Sequence, residues 1–147
     1  MHLVVGSDHA GFLLKGELIA HAESLGHTVV DVGSYNEMPV DFPDIARVLT
    51  KVITSGVAER GLMVCGTGVG AAIAANKVPG IRAAVCHDVH SAHQSVEHDD
   101  VNVMCIGAKI VGAWLARDLL EAYLAAEFST DEDFRRRVAK LDEMDGR

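Results

Sequence analysis

The segment Cys65-Gly66-Thr67-Gly68-Val69-Gly70 sets a thiol at the head of a loop with three glycines in five positions. It runs from the apolar Leu62-Met63-Val64 into the helix-forming Ala71-Ala72-Ile73-Ala74-Ala75. Glycines at this spacing let the backbone turn sharply and aim several N–H groups at one point beside the positive end of a helix. That geometry suits an oxyanion or a phosphate. A thiol at the end of a strand and facing a helix N-terminus is favoured as thiolate, which makes it a base or a nucleophile. No Gly-Lys-Ser/Thr follows, so the loop is not a Walker loop, and its GxGxG spacing is not the dinucleotide fingerprint GxGxxG. A plain strand-to-helix turn needs the same glycines; Cys65 in front of them is what points to chemistry.

Two further segments carry suitable groups. Gly6-Ser7-Asp8-His9-Ala10-Gly11 follows the first apolar run and brings a carboxylate and an imidazole, although Asp8 also suits the cap of the next helix. The stretch from Cys86-His87-Asp88 to His98-Asp99-Asp100 is rich in histidine and acid. His90 and His93 stand three apart, as metal ligands on a helix can, but no other group completes a ligand set. His98 is expected in a polar loop before the fifth strand, at the edge where ligands bind, and is the better candidate acid or base. Cys86 and Cys105 read as buried, inert thiols.

The elements that must position these groups follow from hydrophobic pattern. Short β-branched runs at 3–5, 28–32, 62–65, 82–86 and 103–106 read as strands. Stretches 12–25, 43–55, 68–76, 88–96 and 110–126 carry apolar residues at helical spacing. This alternation predicts an α/β fold, three-layered and doubly wound (Rossmann-like), with a five-stranded parallel sheet and active residues after strands. A capped helix at about 130–144, with Phe134, Val138 and Leu141 on one side, suits either a partner subunit or solvent.

Length and composition agree with one domain over 1–147: 49% of residues are apolar and only 3 are proline. The formal net charge of −8 opposes nucleic-acid and anionic membrane partners, so an anionic ligand needs a local device. Three cysteines without a CxxC pair suggest neither a disulfide framework nor a zinc ribbon. With no signal-peptide pattern in Met1-His2-Leu3-Val4-Val5, a cytoplasmic protein is expected.

Taken together, the Gly6–Gly11 and Cys65–Gly70 segments, Ala74-Ala75-Asn76-Lys77-Val78-Pro79-Gly80-Ile81-Arg82-Ala83, and Glu97-His98-Asp99-Asp100-Val101-Asn102 resemble, in order and spacing, the type B ribose-5-phosphate isomerases and their galactose-6-phosphate isomerase relatives. The resemblance spans nearly the whole chain. It implies a homodimer, in some members paired into a tetramer, with active sites shared between subunits and no metal or organic cofactor. It makes Cys65 the proton-abstracting base and His98 the acid that helps open the sugar ring. Asp8 and His9 would contact the substrate near ring and phosphate. Gly66, Thr67, Gly68, Val69 and Gly70 would hold the enediolate, with the Thr67 hydroxyl moving protons between sugar oxygens. Asp99, Lys109 and Arg137 fall at further substrate-binding positions.

The chain departs from that pattern at several places. Asp99 stands where many relatives have Asn, Lys109 and Asp133 where they have Arg, and Phe42 where Tyr is common. One branch uses a Glu after the glycine loop as base; here that position is Ala71, which leaves the role to Cys65. An ammonium does not replace a bidentate guanidinium at a phosphate, so the reaction class is firmer than the sugar. Galactose 6-phosphate, or another tetrose, pentose or hexose phosphate, is the alternative substrate. A flavodoxin-like nucleotide- or flavin-binding module also fits the alternation and the glycine loop, but it has no need of Cys65 and His98 together.

Overall fold

The computed structural model describes residues 1–146. Its elements run β1 (His2–Ser7), α1 (Phe12–Ser24), β2 (Thr28–Asp31), α2 (Phe42–Thr54), β3 (Arg60–Cys65), α3 (Val69–Ala75), β4 (Ala83–Val85), α4 (Val89–Asp99), β5 (Val103–Gly107), α5 (Ala113–Ala125) and α6 (Glu132–Met144). The five strands pair in the order β2-β1-β3-β5-β4, every neighbouring pair parallel.

Strands buried on both faces explain the unbroken apolar runs. Side chains alternate between the faces: Leu3, Val5, Leu62, Val64, Met104 and Ile106 meet Leu18, Val96, Leu119 and Tyr123, placing α1, α4 and α5 on one side. Val4, Met63, Cys65, Val103 and Cys105 meet Leu49, Ala71, Ala72 and Ala75, placing α2 and α3 on the other. The expected three-layer, doubly wound fold is the one observed. No helix among the described residues is long and apolar enough to cross a membrane.

From β1 the chain crosses to β2 on one side, then returns past β1 to β3 on the other. The crevice between the carboxyl ends of β1 and β3 is therefore a topological switch point, where open parallel sheets bind ligands. Asp8 leaves β1 there and Cys65 ends β3 there.

The C-terminal helix α6 packs on its own chain. Phe134 stacks on His98, with ring centroids 3.9 Å apart and planes 15° from parallel, and Val138 is buried. At its far end Arg82 Nη1 donates to Asp142 at 2.9 Å, and Gly80 N–H donates to Asp145 at 2.7 Å. Leu141, on the same face as Phe134 and Val138, and Met144 near the helix end are exposed.

Candidate active site

The Cys65 side chain is almost enclosed, 5% exposed, and its Sγ accepts the Gly68 N–H at 3.0 Å. A donor aimed at sulfur supports negative charge there. Gly68 reaches that position with φ +82°, and a Cβ on it would lie 3.1–3.2 Å from the Ile106 backbone, so only glycine closes this turn without strain. Thr67 is exposed, and its Oγ1 accepts the Val69 N–H at 3.3 Å. Gly70 lies against the Phe42 ring, whose Cζ would stand 2.7 Å from an added Cβ. The loop thus has an apolar wall on one side and an open mouth at Thr67.

The neighbouring strand ends complete this edge. Ala108 N–H donates to Cys65 O at 2.7 Å and Lys109 N–H to Gly66 O at 3.0 Å, which brings the Lys109 side chain alongside Gly66. Asp8 is buried; its N–H donates to Val64 O at 3.2 Å and its Oδ1 accepts the Gly11 N–H at 3.1 Å. Asp8 therefore organises the entry to α1, although the residue immediately before that helix is Gly11. His9 Nδ1 accepts the Val40 N–H at 3.2 Å. An amide N–H can only donate, so the neutral His9 ring carries its proton on Nε2, ready to donate to a substrate oxygen.

The sequence-derived candidates divide between the two edges of the sheet. Asp8, His9, Cys65, Gly66, Thr67, Gly68, Val69, Gly70 and Lys109 follow strands and gather at the carboxyl edge. His98, Asp99 and Arg137 do not join them. His98 lies in the last turn of α4 and not in a loop, which corrects the expected placement. That helix leaves the carboxyl end of β4 and returns across the sheet to the amino end of β5. Its 11 residues span roughly 16 Å at 1.5 Å per residue, so His98 belongs to the amino edge. Asp99 ends the same helix, and Arg137 sits over the Phe134 ring, 5.7 Å from its centroid. Within one chain the candidate base and the candidate acid are held apart by the depth of the sheet.

Two of the three thiols are set aside by burial. Burial pushes the Cys86 thiol up, and burial pushes Cys105 up much further, so neither is a source of thiolate. Asp133 is exposed and paired with Arg136 Nη1 at 2.5 Å; that hydrogen bond holds its carboxyl below the usual carboxylate range. His93 pairs with Glu97 at 3.2 Å, and no three His, Cys, Asp or Glu side chains among the described residues are grouped to hold a metal ion. Sequence reasoning passed over His87, which follows β4 at the carboxyl edge and accepts the Gly107 N–H on Nε2 at 2.9 Å. Its place just after a strand was the available signal.

Residues 3–141 match the family described as ribose/galactose isomerases. Ribose-5-phosphate isomerase B of Escherichia coli (strain K12) is 40% identical over 126 residues, covering 86% of this chain and 85% of that protein. D-erythrulose-4-phosphate isomerase of Pectobacterium atrosepticum is 40% identical over 131 residues, covering 87% and 85%. The solved ribose-5-phosphate isomerase B of Clostridium thermocellum superposes with a TM-score of 0.96 at 41% identity, covering 99% of this chain and 98% of that one. With this match in sequence over most of its length, and in fold over nearly all of it, the chain belongs to the ribose/galactose isomerase family.

Proposed function

We propose that the protein interconverts ribose 5-phosphate and ribulose 5-phosphate as a homodimer, with Cys65 of one subunit and the partner subunit's His98 serving one active site. The observation that carries the reading is Cys65 at the switch-point crevice, its sulfur accepting the Gly68 N–H of the glycine loop. Aldose–ketose interconversion removes a proton from the carbon beside a carbonyl, so it needs a modest base and donors for the oxyanion that forms.

In this mechanism the acid His98 protonates the ring oxygen as the anomeric hydroxyl loses its proton, giving the open aldehyde. The Cys65 thiolate takes the proton from C2, and the C2 electrons form the C1–C2 double bond as charge moves onto O1. Loop N–H groups stabilise that oxyanion, each worth ~3 kcal/mol in the transition state. The Thr67 hydroxyl relays the O2 proton to O1, and the Cys65 thiol returns its proton to C1 as the C2 carbonyl forms. His9 Nε2–H and Lys109 meet substrate oxygens at the same edge, while Arg137, on the opposite edge of its own chain, reaches the phosphate of its partner's site.

The two-edge arrangement supports the dimer: a second copy that sets its α4 end and α6 against the Cys65 edge supplies the acid and a cation together. Offering the protein ribose 5-phosphate, erythrose 4-phosphate and galactose 6-phosphate, with ketose formation as the readout, tests the assignment. Turnover fastest on ribose 5-phosphate supports it. Preference for another sugar moves the substrate while keeping the class, and no turnover on any sugar favours a binding module.

A further inference from the structure

We propose that His87 is a positioning residue for this reaction, holding the floor of the glycine loop through the Gly107 N–H; the proposal rests on the isomerase reading of the Cys65 edge. Strand β4 stops at Val85, paired with Cys105, whereas β5 continues to Gly107. The Gly107 N–H therefore faces a place where no strand remains to accept it. His87 Nε2 takes that place at 2.9 Å.

Gly107 is where β5 touches the catalytic loop. A Cβ on it would lie 2.6 Å from Thr67 Cα and 2.8 Å from Gly66 O, so the loop rests directly on this residue's backbone. Gly107 O accepts the Ile110 and Val111 N–H groups at 2.9 and 3.1 Å, and the next residue, Ala108, donates to Cys65 O. His87 thus anchors, from two residues beyond the end of β4, the backbone on which Gly66 and Thr67 lie. A buried N–H without its acceptor would tilt toward another one, and the loop resting on it would move too. Oxyanion stabilisation depends on donor positions to a fraction of an ångström, so the loss is expected in kcat and not in KM.

Because the amide only donates, Nε2 is bare and the ring proton sits on Nδ1. In the intact ¹⁵N-labelled protein at neutral pH, ring spectra should show His87 protonated on Nδ1, with a scalar coupling between Gly107 N and His87 Nε2. The activity arm uses His87→Leu, which fills space without an acceptor, and His87→Gln, whose Oε1 has similar reach. His87→Leu should lower kcat 10- to 100-fold on the preferred sugar phosphate, change KM less than threefold and speed Gly107 amide exchange at least tenfold. His87→Gln should recover most of both losses. A proton on Nε2 in the intact protein overturns the proposal whether or not either variant folds. Normal turnover by the parent with His87→Leu kcat within twofold of it removes the His87 role alone. A parent without isomerase turnover removes the reading beneath it.

Discussion

Cys65 ends β3 at the carboxyl edge of the sheet, and His98 ends the helix that returns to the amino edge. A base and an acid fixed on opposite edges of one chain cannot meet on one small sugar, so catalysis by both requires two chains. This yields a counting prediction. Cys65→Ala and His98→Asn proteins, each inactive on ribose 5-phosphate as homodimers, should regain activity on that sugar when unfolded and refolded together. Random pairing makes half of the dimers mixed, and each mixed dimer holds one intact site of two, so about one quarter of parental activity returns. Absence of recovery after confirmed subunit mixing would show that each chain works alone.

The proton-transfer role of Cys65 predicts a kinetic split. Cys65→Ala keeps the glycine loop, His9 and Lys109, so substrate binding should change little while kcat falls by several orders of magnitude. Single-turnover and binding measurements check it, and near-parental kcat would remove Cys65 from the role.

The proposed ring-opening role of His98 sets a substrate-dependent test. His98→Asn should therefore be more impaired on a cyclic pentose phosphate than on a tetrose phosphate, which cannot close a ring through its phosphorylated carbon. Equal loss on both would move His98 to proton transfer or binding. Phe134, stacked on the imidazole, should share the pattern: Phe134→Leu gives up about 1 kcal/mol of ring contact and Phe134→Tyr keeps it.

The close fit of α1 under the site gives a stability prediction. A Cβ on Gly11 would lie 2.3 Å from Val64 O and 2.6 Å from Val64 C, backbone atoms that cannot rotate away. Gly11→Ala should cost about 3 kcal/mol by chemical denaturation; a loss under about 0.5 kcal/mol would show that β3 and α1 separate easily.

The parallel sheet was legible because burial on both faces writes continuous apolar runs, and because strands and helices alternate strictly. Cys65, Asp8 and His9 were legible for the same reason, since each leaves a strand. His98 was misplaced because the segment entering a parallel strand lies at the edge opposite the segment leaving one. The helix also runs on through polar Glu97-His98-Asp99, where composition reads as loop. His87 acquires its contact only because β4 ends two residues short of β5, a fact of strand register that no local pattern contains.

At the proposed phosphate end, Asp133 and Arg137 carry the sharpest test of the sugar. A carboxylate near a phosphate dianion opposes binding unless a cation pairs with it. In the structure Arg136 does so at 2.5 Å and keeps the Asp133 carboxyl ionised below the usual range, while Arg137 lies instead over Phe134. The Asp133 charge is thus satisfied within its own helix turn, and the proposed phosphate contact falls to Arg137. Asp133→Ala should change KM for ribose 5-phosphate less than threefold. Arg137→Ala should raise it at least tenfold, as expected for losing a charge-assisted contact worth about 1.5–3 kcal/mol. A large gain in ribose 5-phosphate affinity on removing Asp133 would instead show this carboxylate facing the site, with a different sugar phosphate as the natural substrate.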